Sequence, residues 1–154
     1  MGVCVTTIIA FDGKTLAADK YTWVSGVVAL STKIQRVNGH LVGVSGSNVI
    51  IPQIFAWAKN DFTEATMPLL QKDPKDHSDV MVITRYGQIL MYENASIPWI
   101  NERPFWAIGS GREFAIGAMA AKATAIEAVL IASEYAGNCG RGCDTLTLEE
   151  EQPS

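Results

Sequence analysis

The sequence predicts an α+β domain, a four-layer α-β-β-α sandwich in which two antiparallel sheets are stacked between helices. Three observations lead there. Runs of β-branched and aliphatic residues are punctuated by the turn dipeptides Asp12-Gly13, Asn38-Gly39 and Tyr86-Gly87, as in hairpins. The first run, Val3 to Phe11, is apolar at both alternating positions, the mark of a strand covered on two sides. From Arg112 onward the chain becomes alanine-rich, which lets helices pack closely.

Taken in order, Val3 to Phe11 is the first strand, Asp12-Gly13 its turn, and Thr15 to Ala18 the returning strand. Lys33 to Val37 and His40 to Val44 form a second hairpin around Asn38-Gly39. Asn48 is expected to cap a helix running toward Lys59, with Ile51, Ile54, Phe55 and Ala58 on one face. Asp73 to Asp76 reads as a polar loop around Pro74. Val80 to Arg85 and Gln88 to Tyr92 make the third hairpin, and Ser96 to Arg103, with Pro98, reads as irregular. Phe105 to Ile108 is a short strand ending at Gly109-Ser110-Gly111. Phe114 to Lys122 and Thr124 to Tyr135 read as helices, the second ended by Gly137. Cys143 to Leu148 is a last strand.

With 154 residues the chain is expected to be one domain, 1–154, in which 149–154 is a solvated tail. Hydrophobic residues at 48% exclude intrinsic disorder. Charged residues are only 18%, which points to surface hidden against other copies of the chain. The net charge of −4 offers no basic face for phosphates, so nucleic acid is not an expected partner. No run reaches the roughly 18–20 apolar residues of a membrane span, and no basic segment precedes an apolar one as in a signal peptide. Three cysteines, Cys4, Cys139 and Cys143, are too few and too odd for a disulfide scaffold, so a reducing, cytoplasmic location is expected. Cys139-Gly140-Arg141-Gly142-Cys143 lacks partners for zinc, since His40 and His77 are remote. Gly109-Ser110-Gly111 lacks the dinucleotide spacing, the next glycine being Gly117. Neither a metal nor a cofactor is expected.

Five pieces occur in order: Thr6-Thr7-Ile8-Ile9-Ala10-Phe11, Leu16-Ala17-Ala18-Asp19, Lys33, Ser45-Gly46-Ser47, and Ala107-Ile108-Gly109-Ser110-Gly111 before the alanine-rich helices. Together they resemble the proteasome β-subunit and HslV peptidase family, especially its short phage-type members. The resemblance implies an N-terminal nucleophile hydrolase, with a threonine nucleophile, the Asp19 carboxylate, the Lys33 cation, the Gly46 oxyanion donor and Ser110 near the terminal amine. It also implies a peptide or unfolded-protein substrate, assembly of identical subunits into a ring or stacked ring, and an ATPase unfoldase as a partner of unknown identity.

The chemistry follows without the family. A threonine hydroxyl is a poor nucleophile until a base removes its proton. An N-terminal threonine carries that base as its own α-amine, with a pKa of about 7.7–8. A lysine ammonium nearby lowers that pKa and stabilises developing negative charge, and a carboxylate holds the lysine. The nucleophile is Thr6 or Thr7. If Asp12 and Gly13 alone form the loop, Phe11 pairs with Lys14 and Thr6 faces Asp19, the arrangement preferred here. A three-residue loop, Asp12 to Lys14, puts Thr7 opposite Asp19 instead.

Three departures from the family pattern accompany these matches. Met1 to Val5 precede the threonines, with Val5 where a glycine commonly precedes the cut. Asn138, Arg141 and Gly142 match the places of an aspartate, a serine and a glycine. The stretch before the third hairpin is short, at 61–71. A peptidase is therefore weighed against a catalytically inactive assembly protein and, behind both, a small-molecule amidase.

Overall fold

The computed structural model describes residues 7–73, 76–93, 95–137 and 139–149, with side chains except at 72, 73, 76 and 77. The first six strands are β1 (Ile9–Phe11), β2 (Thr15–Asp19), β3 (Tyr21–Val24), β4 (Val27–Leu30), β5 (Ile34–Val37) and β6 (His40–Ser45). Helix α1 (Ile50–Lys59) follows, then a short 3-10 turn at Glu64–Thr66. Strands β7 (Gln71–Asp73), β8 (Asp76–His77), β9 (Asp79–Ile83), β10 (Ile89–Tyr92), β11 (Trp99–Asn101) and β12 (Trp106–Ile108) come next. Helices α2 (Arg112–Ala120) and α3 (Ala125–Tyr135) precede the final strand β13 (Cys143–Thr147).

One sheet has the order β12-β1-β2-β13 and another β11-β10-β9-β6-β5, with two ribbons, β3-β4 and β7-β8. The chain is a mixed α and β fold in which β1 lies inside its sheet, as its two-faced apolar pattern predicts. Val3 to Thr6, the rest of the expected strand, lie outside the described residues, as does Pro74. Ile9 and Phe11 join Leu16, Ile34, Leu41, Met81 and Ile83 in one apolar cluster. Ile8 and Ala10, pointing the opposite way, meet Ala115, Met119, Ala128 and Val129 of α2 and α3. A third cluster packs Ile51, Ile54, Trp57 and Ala58 of α1 on Val42, Val44, Val80 and Val82. Alternation along each strand is what sends side chains to two different interiors.

The first hairpin departs from both registers considered above. Phe11 pairs with Leu16 and Ile9 with Ala18, so the loop residues are Gly13 and Lys14. Asp12 is the reason. Its Oδ1 accepts the N–H groups of Lys14 (2.9 Å) and Thr15 (2.8 Å), and its own N–H donates to the Thr15 carbonyl (3.2 Å). Asp12 thus ends the ladder rather than starting the loop, and Gly13 takes φ +102°, where a side chain would be strained. The same aspartate reaches the start of α3, its Oδ2 accepting the Ala125 N–H at 2.9 Å.

Other expectations also shift. Asn48 does not cap α1. The N-cap position is Val49, with no side-chain cap; Ser47 Oγ, just before it, accepts the Ile50 N–H at 3.2 Å, and Asn48 Oδ1 accepts from Thr22 Oγ1. The stretch expected to be irregular contains β11, which pairs with β10 at a sheet edge where Pro98 interrupts nothing. Helix α2 starts at Arg112, two residues before the expected Phe114. Thr124 caps α3 in a reciprocal capping box with Glu127, close to the expected start.

Candidate active site

Asp19 ends β2, and the observed register sets it opposite Ile8 rather than Thr6 or Thr7. Asp19 N–H donates to the Ile8 carbonyl at 3.1 Å, and Ile8 N–H donates to Asp19 Oδ1 at 3.1 Å. That same oxygen receives Lys33 Nζ at 2.7 Å, and Lys33 also donates to the Tyr21 carbonyl. The other carboxylate oxygen, Oδ2, accepts the Gly140 N–H at 3.0 Å. Both residues are shut off from water, Asp19 being 0% and Lys33 2% exposed. Burial pushes the lysine below its usual pKa range, and the Asp19 carboxylate opposes that shift by charge and hydrogen bond.

A second element closes on the start of β1. Thr7 N–H donates to Ser110 Oγ at 3.1 Å, and Gly111 N–H donates to the Thr7 carbonyl at 3.3 Å. The approach requires glycine at 109: a Cβ there would lie 2.1 Å from the Thr7 oxygen, and its φ is +101°. Thr7 is 2% exposed beneath this turn. Thr7, Ser110, Asp19 and Lys33 therefore converge. Thr6 lies outside the described residues.

Gly46 stands between the end of β6 and Ser47, whose Oγ accepts the Ile50 N–H at the start of α1. The Val44 N–H donates to the Lys33 carbonyl at 3.0 Å, so Gly46 is two residues beyond the backbone partner of the site lysine. A Cβ at 46 would come within 2.5 Å of Ser78 Oγ and 2.6 Å of an Ile50 methyl carbon, so the position has no room for a side chain. Its backbone sits beside the N-terminus of α1, where N–H groups carry partial positive charge.

The loop after α3 adds members the sequence did not mark. Gly140 binds Asp19 through its N–H and receives the Lys20 N–H on its carbonyl at 3.1 Å. Cys139 Sγ lies 3.8 Å from Ser110 Oγ, and Cys143 is the cross-strand partner of Asp19. The one available hint was the glycine-rich spacing of 139–143. Arg141, matched to a family serine, is exposed with φ +61°, and Asn138 lies outside the described residues. Among the described residues no three or more His, Cys, Asp or Glu are grouped to hold a metal, and no helix is long and apolar enough to cross a membrane.

The assembly has the parts for acyl transfer: a buried carboxylate fixing a buried ammonium, a hydroxyl on a threonine nitrogen, and backbone N–H groups at a glycine turn. No sequence profile of a known family and no curated protein matches the chain. Solved structures do. BPH from Thiobacillus denitrificans aligns with a TM-score of 0.67 at 23% identity, covering 97% of this chain and 100% of that one. The same protein in complex with epoxomicin aligns with a TM-score of 0.67 at 21% identity, covering 94% and 100%. Eukaryotic HslV from Trypanosoma brucei reaches a TM-score of 0.71 at 21% identity, again covering 94% and 100%. At these scores and coverages the chain has the fold of HslV and BPH over nearly its whole length.

Proposed function

We propose that the chain is a threonine-type peptidase subunit of the N-terminal nucleophile class, self-compartmentalised by assembly, with Thr7 as nucleophile after removal of the residues before it. One observation carries this reading: the Thr7 nitrogen rests on Ser110 while the next nitrogen, that of Ile8, rests on the buried Asp19–Lys33 pair. The observed register sets neither threonine opposite Asp19, and Thr7 is preferred on its nitrogen's contact with Ser110. Breaking the Thr6–Thr7 bond would free an α-amine at Thr7. That amine takes the proton of the Thr7 hydroxyl, whose oxygen attacks a substrate carbonyl. The Lys33 ammonium and the Gly46 N–H are the groups assigned to the resulting oxyanion. The amine then protonates the leaving nitrogen, and water, deprotonated by the same amine, releases the acyl group.

The three apolar clusters support the finer layer order α-β-β-α. Assembly of copies is supported by large exposed apolar side chains, among them Trp23, Val27, Leu30 and Leu130, on a chain poor in charge. The substrate class is peptide or unfolded protein, and an ATPase unfoldase remains part of the proposal through the resemblance alone. A catalytically inactive assembly protein is the second reading, favoured by the exposed Arg141 where the family has a serine hydroxyl.

Intact mass and hydrolysis of peptidyl amides test the proposal, with epoxomicin as the probe because a similar structure was solved with it. Thr7→Ala is expected to abolish self-cleavage and hydrolysis, and Thr6→Ala to leave some of each. The reverse pattern would assign Thr6. A chain that keeps its full mass, hydrolyses nothing and takes up no epoxomicin would establish the inactive reading.

A further inference from the structure

We propose that Cys139 is a positioning residue of this site: its sulfur accepts the hydroxyl proton of Ser110 and thereby turns the serine's lone pair toward the Thr7 nitrogen. The role in turnover rests on the peptidase reading, whereas the Cys139–Ser110 coupling does not. A serine hydroxyl has one proton and two lone pairs. Ser110 Oγ already receives the Thr7 N–H at 3.1 Å, so its own proton must point elsewhere. Cys139 Sγ lies 3.8 Å from that oxygen, an ordinary length for a hydrogen bond to sulfur.

The sulfur is held in place. The next residue, Gly140, is tied to Asp19 Oδ2 at 3.0 Å and to the Lys20 N–H at 3.1 Å. Cys139 and Cys143 both pack on the alanine-rich cluster of α2 and α3. The charged groups around the loop are Lys33, bound to Asp19, then Lys20, bound to Asp144 at 2.8 Å, and the exposed Arg141. The sulfur lies close enough to Lys33 for the two to interact electrostatically. Cys139 lies between Asn138 and Arg141, the two positions that depart from the family's aspartate and serine.

The consequence follows from the direction of the Ser110 proton. With the proton on sulfur, a freed Thr7 amine donates to Ser110 and keeps its own lone pair for the hydroxyl. Without the sulfur, the Ser110 proton turns to that lone pair and blocks the base.

Two measurements test this. The first is the pH profile of iodoacetamide alkylation at Cys139, read by peptide mass spectrometry in the full chain and in Ser110→Ala, with Cys143 as internal control. Because only the thiolate alkylates, loss of the Ser110 donor is expected to slow reaction at Cys139 roughly threefold at neutral pH and move its profile upward. An unchanged profile overturns the proposal, whether or not the chain hydrolyses peptides. The second applies to the active protein. Cys139→Ala is expected to lower kcat about tenfold, the worth of one hydrogen bond, with KM unchanged and the acidic limb of the rate displaced. Cys139→Ser, which restores an acceptor, recovers most of the rate. Equal rates in all three proteins, or a loss confined to KM, overturn it. Absence of hydrolysis in the unmutated chain would count against the peptidase reading, and the alkylation profile alone then decides the coupling.

Discussion

Two ion pairs sit on neighbouring residues at the end of β2. Asp19 meets Lys33 at 2.7 Å, and Lys20 meets Asp144 at 2.8 Å. By length they are the same bond. Their surroundings differ: the first pair is 0% and 2% exposed, the second 26% and 32%. Alternation of side chains along the strand sends one carboxylate into the interior and the next residue toward water. In the interior the attraction is strong, but each charge has lost its hydration, so the pair persists because further donors and acceptors complete it. Asp19 has three donors, from Ile8, Lys33 and Gly140. Near the surface, water and salt do much of that work, and the Lys20 pair is replaceable.

The largest expected effect comes from breaking the buried pair on one side. Lys33→Ala leaves the Asp19 carboxylate buried without its cation and is expected to destabilise the fold by about 3–5 kcal/mol, read from denaturant midpoints. It should also lower any hydrolysis by about 10²–10³ through loss of a charge-stabilising group. A stability unchanged within error would mean that water reaches the pair.

Raising the pH attacks the same pair without mutation. Burial holds the Lys33 pKa below its usual range. A base whose folded pKa is depressed weakens the fold while it is charged. That penalty is full below the folded pKa and fades as pH rises toward the unfolded value, where both states are neutral. Stability contributed by this group therefore rises across that window even as the ammonium needed for catalysis is lost. Hydrolysis is expected to fall on an alkaline limb below the ordinary lysine range, and a limb at the ordinary lysine value would place Lys33 in contact with water.

The smallest effect belongs to the surface pair. Lys20→Ala is expected to change stability by about 0–1 kcal/mol, and less at high salt. A loss as large as that of Lys33→Ala would erase the contrast.

Much of this site was legible before the fold. Asp19, Lys33 and Ser110, three of the residues marked by strand ends and glycine turns, meet the start of β1 at Thr7 and Ile8 in the structure. Three hairpins and the alanine-rich pair of helices were readable from turn dipeptides and periodicity. The ribbon β3-β4 was not. Its side chains at Trp23, Val24, Val27 and Leu30 are exposed, so no inward-outward alternation marks it. Nor was the bond from Gly140 to Asp19, because a backbone N–H has no sequence signature.

The sequence by itself determined which faces are apolar and where hairpins turn. It did not determine register. A strand's pattern repeats every two residues, so it says which side a residue faces without saying what stands opposite. That was decided by Asp12, which closes the turn locally and reaches Ala125, 113 residues away. Likewise the Asp19 carboxylate is completed by Gly140 from 121 residues along the chain. Periodicity is a local property of the chain, whereas completing a buried charge requires donors that only the packed fold brings within 3 Å.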